Sequence, residues 1–271
     1  MRKIFGFLLV VAILALASGC GQFRRIEKNP DWRVKYEGAM NYYAKEDYYK
    51  AATLFEQILP IVRGLPEGEK VQFHLAYCQY HEKLYLLASD QFKTFYETYG
   101  RSPMVEEARF MAAYSLYVHS PSYNLDQNSS IQAMTAMQEF LNRYPDSKFL
   151  DQAVKAIEDM QQKLERKGFE NARQYYKMRN YKAAIVALGN FKLNFPDSKY
   201  LEEAHYLIVV SQYELAEQSV YSRQEERYGE VIELYKQLVD KYPNSTFLRE
   251  AEKMYSDSLQ KLSKFKSQNN S

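Results

Sequence analysis

The sequence predicts an all-α fold, an α-solenoid of about five helix pairs, on three observations. Apolar residues recur at spacings of three and four almost throughout, which is the period of a helix that buries one face. The 10 Gly and 8 Pro in 271 residues fall mostly in brief gaps between such stretches, where they interrupt helices. A block made of an aromatic, a Pro, a polar residue and a Ser returns along the chain, so one structural unit is repeated.

In chain order, Arg2 and Lys3 precede an apolar run from Ile4 to Ala17 that ends in Ser18-Gly19-Cys20. The run is short of the roughly 18 to 20 residues that span a bilayer, and residues 1–19 read as a signal peptide. Small residues before Cys20 resemble the lipobox of bacterial lipoproteins, although Ala17 stands where lipoboxes favour Leu. That resemblance implies cleavage before Cys20, lipid attachment through its sulfur, and firm anchoring by several acyl chains. The alternative is a plain secreted protein with Cys20 free. Gly21 stands where an Asp would retain an enterobacterial lipoprotein at the inner membrane, so outer-membrane sorting is expected. Residues 20–30 then read as a lipidated tether, 31–262 as the repeat domain and 263–271 as a polar tail.

Cleavage removes two of the 36 basic residues and none of the 34 acidic ones, leaving the mature chain formally neutral. Nucleic-acid binding calls for clustered excess Lys and Arg, and no nucleic acid is expected among the partners. The two cysteines, Cys20 and Cys78, cannot make a disulfide scaffold. The 25 Tyr and 15 Phe against a single Trp must either fill internal contacts or line a gripping surface.

Helix stops recur at Tyr99-Gly100-Arg101-Ser102-Pro103, Tyr144-Pro145-Asp146-Ser147, Phe195-Pro196-Asp197-Ser198 and Tyr242-Pro243-Asn244-Ser245. In each, an aromatic closes one helix, the Pro blocks its continuation and the Ser caps the next. Ala108, Ala153, Ala204 and Ala251 follow at a fixed distance. The preceding helices superpose as Tyr48, Ala51, Phe55, Ile58; Tyr85, Ala88, Phe92, Phe95; Tyr181, Ala184, Leu188, Phe191; and Tyr228, Val231, Tyr235, Leu238, with a weaker copy at Ser130, Ala133, Met137, Phe140. This pattern resembles the second helix of a tetratricopeptide repeat, where the small residue admits the partner helix and the large ones fill the space between repeats. Extra length falls between His119 and Ser130, and between Lys148 and Met178, where a kink is expected near Gly168.

Counting back gives the first helix of each pair, and three of these carry aromatics seven apart: Tyr36 and Tyr43, Phe73 and Tyr80, Phe169 and Tyr176. Met40, Tyr77 and Arg173 lie between them on the same face. These positions fall where tetratricopeptide first helices face the concave groove. One reading is a sticky surface for an extended polypeptide, since Tyr offers contact area and a polar handle at small entropic cost. The other is that long helices use the rings as core.

No phosphate loop, H-E-x-x-H, C-x-x-C or G-x-S-x-G is present, and neither an enzyme nor a cofactor is expected. His74, Cys78 and His81 stack on one helical face, but a zinc site needs a fourth ligand and supporting groups, so no metal is expected. Glu106-Glu107, Glu202-Glu203 and Glu225-Glu226 begin helices or edge loops, where the dipole or solvent accommodates them.

Taken together, the residues resemble the BamD (YfiO/ComL-like) lipoproteins, the D subunits of the bacterial outer-membrane β-barrel assembly machinery. The likeness rests on Cys20 followed by the repeats and on two less generic stretches. One runs from Leu125-Asp126-Gln127-Asn128 to Asn142-Arg143-Tyr144-Pro145-Asp146-Ser147, and the other from Ala172-Arg173-Gln174-Tyr175-Tyr176 to Asn180-Tyr181-Lys182-Ala183-Ala184. Departures are Val62-Arg63 in place of an aromatic and Pro, Val231 in place of Ala, and Ser130 in place of Tyr. The resemblance implies an outer-membrane lipoprotein scaffold, lipid-anchored at the periplasmic face, that helps barrels fold and insert. Tyr36, Met40, Tyr43, Phe73, Tyr77 and Tyr80 would receive unfolded outer-membrane β-barrel protein segments. The C-terminal repeats, with Phe169, Arg173 and Tyr176, would dock a BamA-like barrel assembly subunit. A different lipoprotein of the same architecture, scaffolding cell-envelope synthesis or surface uptake complexes, is the alternative.

Overall fold

The computed structural model describes residues 21–269; the signal peptide, Cys20 and residues 270–271 lie outside the described residues. Among the described residues twelve helices follow one another: α1 (residues 21–27), α2 (Trp32–Ala44), α3 (Tyr48–Val62), α4 (Pro66–His81), α5 (Tyr85–Thr98), α6 (Val105–His119), α7 (Asn128–Arg143), α8 (Leu150–Lys177), α9 (Tyr181–Asn194), α10 (Leu201–Glu217), α11 (Tyr221–Lys241) and α12 (Leu248–Asn269). No strand occurs among the described residues, and no described helix is long and apolar enough to cross a membrane. Successive helices pack on one another as repeated pairs, α2 with α3, α4 with α5, α6 with α7 and α10 with α11. This is the all-α, tetratricopeptide-like class. The described residues divide into two compact units, the first holding residues 21–121 and 125–160 and the second 122–124 and 161–269.

The turns within and between pairs explain why the pattern repeats. Glu46, Lys83 and Arg179 take left-handed φ values of 59°, 63° and 58°. At each, crossed hydrogen bonds close the first helix: Glu46 N–H donates to the Tyr43 carbonyl and Asp47 N–H to that of Tyr42, both at 2.9 Å, and the other two turns copy them. Between pairs, the hydroxyls of Ser102, Ser147, Ser198 and Ser245 each accept the N–H two residues on, at 3.0, 3.0, 3.2 and 3.2 Å. The departure at Val62-Arg63 does not abolish its turn. Leu65 N–H donates to the Val62 carbonyl at 2.8 Å, Gly64 takes a φ of +91° and Pro66 opens α4.

In the first unit, Ala51, Leu54, Phe55 and Ile58 form one buried cluster with Val71 and Leu75. Phe92, Phe95, Met137, Phe140, Ala153 and Met160 belong to a second. The second unit buries Phe169, Ala184, Leu188, Phe191 and Ala204. Val231, where the pattern has Ala elsewhere, is fully buried beside Val209, Leu238 and Ala251. Ser130, the other departure, is also fully buried and donates its hydroxyl to Gln127 at 2.8 Å.

Two expectations are corrected. Residues 21–27 are not a loose tether. They are helical, with Phe23 edge-on to Tyr42 at 5.6 Å and Ile26 so close to Gly38 that a Cβ there would lie 2.7 Å from its Cγ2. Residues 263–269 of the polar tail are the last part of α12, held because Phe265 is buried with Ala216 and Tyr228 and contacts the Tyr221 ring at 4.8 Å. The helix α8 includes Gly168. The glycine serves close packing, since a Cβ would come within 2.9 Å of the Phe195 ring.

Candidate functional site

The seven-residue aromatic spacing extends to all five first helices, because Phe110 and Tyr117 on α6 and Tyr206 and Tyr213 on α10 repeat it. The structure separates its two members. The leading ring tends to lie against the turn that opens the next pair: Phe110 stacks on Phe149 at 4.3 Å, Phe169 on Tyr200 at 4.8 Å and Tyr206 on Phe247 at 4.6 Å. Phe149, Tyr200 and Phe247 each follow the capping Ser by two residues. Phe73 instead packs against Phe92 and Phe95, at 6.0 and 5.2 Å. Phe73 and Phe169 are therefore interior, at 7% and 1% exposure, and do not present a ring to a ligand. This corrects their placement in the groove and the partner-binding set.

The trailing residue is always Tyr, and Tyr43, Tyr80, Tyr117, Tyr176 and Tyr213 are all half-buried. In the first unit, Tyr36, Met40 and Tyr43 lean on the first cluster, and Tyr77 and Tyr80 on the second. Tyr80 neighbours Tyr114 at 6.4 Å, and Tyr114 neighbours Tyr117 at 5.4 Å. The resulting surface of partly open rings includes Tyr114 and Tyr117, which the reading of three helices had missed.

Several of the polar handles are engaged within the protein. Tyr77 donates to Glu107 at 2.6 Å, linking α4 to α6, and Tyr117 donates to Asp159 at 2.7 Å, linking α6 to α8. In the second unit, Arg173 lies 3.1 Å from Glu170 and 3.8 Å from Glu203 on α10. Tyr206 and Tyr213 donate to Glu250 and Asp257, each at 2.8 Å. Tyr176 sits 6.3 Å from Tyr181. Burial pushes the phenol of Tyr43 up to about 12; burial and then the accepting carboxylate do the same for Tyr117 and Tyr213. These groups therefore stay neutral donors, and the surface is aromatic rims stitched by hydroxyl-to-carboxylate bonds.

His74 and His81 each meet a tyrosine: His74 is edge-on to Tyr43 at 4.8 Å, and His81 stacks on Tyr48 at 4.1 Å. The Nδ1 of His74 lies 2.7 Å from the Lys70 carbonyl, so that nitrogen carries the hydrogen, because a carbonyl only accepts. Cys78 is fully buried, and burial pushes its thiol up to about 12, the opposite of a reactive thiolate. Among the described residues no group of three or more His, Cys, Asp or Glu could hold a metal ion.

Comparison with known proteins gives a family. The model described as YfiO, outer membrane lipoprotein, matches residues 30–186 and 169–265. No curated protein sequence matches significantly. Among solved structures, the nearly identical TPR-like repeats of a putative kinesin light chain from Podosopora anserina match at 15% identity, and a point variant of the same repeats at 16%. Each match covers 79% of this chain and 96% of the other, with a TM-score of 0.33.

Proposed function

Because the chain belongs to the YfiO family of outer membrane lipoproteins, we propose that it is a lipid-anchored scaffold of the β-barrel assembly machinery at the periplasmic face of the outer membrane. Cys20 is the attachment point. The first unit receives extended segments of unfolded outer-membrane β-barrel proteins, and the second docks a BamA-like barrel assembly subunit.

The observation that carries the substrate role is the surface around Tyr43, Tyr77, Tyr80, Tyr114 and Tyr117. Barrel strands alternate apolar and polar side chains. Half-open phenol rings offer such a chain flat apolar area, while neighbouring carboxylates accept hydrogen bonds from its polar groups. Tyr36 and Met40 extend the surface along α2. In the second unit, Arg173 and Tyr176, both half-buried, supply a charge and a ring to the docked subunit.

Cross-linking in intact membranes followed by mass spectrometry tests the assignment. A dominant product with a barrel protein carrying periplasmic repeat domains is expected; envelope-synthesis or uptake proteins in its place would shift the reading to those complexes. The surface is tested by the double substitution Tyr43→Ala and Tyr80→Ala. Loss of binding to a barrel-terminal peptide with helicity retained supports it, and unchanged binding sinks it.

A further inference from the structure

A cavity of about 230 Å³ lies between α5, α6 and α7 in the first unit, away from the tyrosine bridges. It exists because four of its lining positions are small: Ser89, Ala112, Ala113 and Ala136. The second unit holds the same repeat positions, counted from Tyr181, Ala204 and Tyr228. There they are Ile185, Ile208, Val209 and Leu234, and all four pack into buried clusters. One copy of this space is filled with aliphatic side chains and the other is open.

The open copy also carries charge. The Arg109 guanidinium lies over Tyr96, its Cζ 4.0 Å from the ring centroid, and its Nε is buried with no hydrogen-bond partner. A buried donor left unpaired is costly, and more so on a charged group. Lys93 and Glu139 border the same space, so the cavity has one net positive charge. At the positions of Tyr96 and Arg109 the second unit has Lys192 and His205, which do not reproduce the stacked guanidinium.

We propose that this cavity binds a small monocarboxylate. The carboxylate pairs with the guanidinium of Arg109 and with Lys93, which line the cavity, while a compact apolar body covers Ala112, Ala113 and Ala136. The volume falls below the roughly 300 to 1,000 Å³ of pockets for drug-sized ligands, which limits the body to a single ring or a short aliphatic chain. The guanidinium, already fixed on the Tyr96 ring, loses little freedom on binding.

The test titrates the full-length protein in detergent with phenylacetate and, as the uncharged control, phenylacetamide, read by calorimetry. Saturable binding of the acid is expected, with the amide weaker by about tenfold or more, the scale of one charge-assisted hydrogen bond. Arg109→Gln weakens the acid by a similar factor. Ala136→Leu, which copies Leu234, abolishes binding while the far-ultraviolet circular dichroism stays helical. Lys93→Gln, on an exposed position, weakens binding without touching the packing, and it decides the matter if the leucine variant does not fold. Absence of saturable binding, equal affinity for acid and amide, undiminished binding by a folded Ala136→Leu protein, or indifference to Lys93→Gln would each overturn the proposal.

Discussion

Tyr77 and Glu107 lie 30 residues apart in sequence, yet the phenol of one donates to the carboxylate of the other at 2.6 Å. The bond fastens α4 to α6, the first helices of two successive pairs. Tyr77→Phe keeps the ring and deletes the donor. Glu107 retains Lys148 at 3.3 Å, so the expected loss is about 1 to 2 kcal/mol, measured as a lower urea midpoint with unchanged helicity.

Stability and docking separate at the two ends of one helix face. Phe169→Ala removes a ring that is 1% exposed and stacked on Tyr200, and should cost about 3 to 5 kcal/mol. Arg173→Ala breaks ion pairs whose side chains are about one-third exposed, and should cost about 1 kcal/mol or less. Denaturation of both variants beside partner cross-linking checks this: lost cross-linking in Arg173→Ala at near-normal stability assigns Arg173 to the interface.

Glycines on helices give opposite signs. A Cβ at Gly189 would meet nothing within 4 Å, whereas one at Gly68 would lie 2.4 Å from the Val62 carbonyl oxygen. Gly189→Ala should stabilise by about 0.5 to 1 kcal/mol through lower chain entropy. Gly68→Ala should destabilise, because the close approach of α4 to the end of α3 must open. A rise in melting temperature for the second variant would refute the packing argument.

Acid should weaken the fold through its imidazoles. Burial holds His74, His81 and His205 below the ordinary histidine value of 6.5, so the unfolded chain binds these protons more readily. Their stabilisation is complete above 6.5 and is lost as pH falls below it toward the folded values. Melting temperature should fall across that window, and His74→Phe should flatten the slope. Asp257 adds a second, more acidic loss: Lys261 and Tyr213 hold its carboxyl below 3.8, so its contribution disappears as pH falls through its folded value.

Much of this was legible in the residues because helix periodicity and the Ser turns are local signals. Ala51, Ala88, Ala133 and Ala184 announce the helix contacts they make, and all are fully buried. The fate of the aromatics was not local. Phe169 and Tyr176 look alike within α8, and only Tyr200, brought alongside by the next turn, makes the first interior and leaves the second half-open. The docking of residues 21–27 was hidden for a similar reason. So short a segment has little period to read, and what holds it is the notch at Gly38 on another helix. The cavity beside Arg109 could have been read by aligning Ser89, Ala112 and Ala136 with Ile185, Ile208 and Leu234, since small residues stand there only in the first unit.

The docked α1 has a mechanical consequence. With the lipid proposed at Cys20, the anchor lies only three positions before Phe23, whose ring is already fixed against Tyr42. Three residues extend at most about 10 Å. The protein would therefore ride on the bilayer on a very short leash, its first helix pair confined near the lipid surface, where a client emerging along that surface meets it at high local concentration.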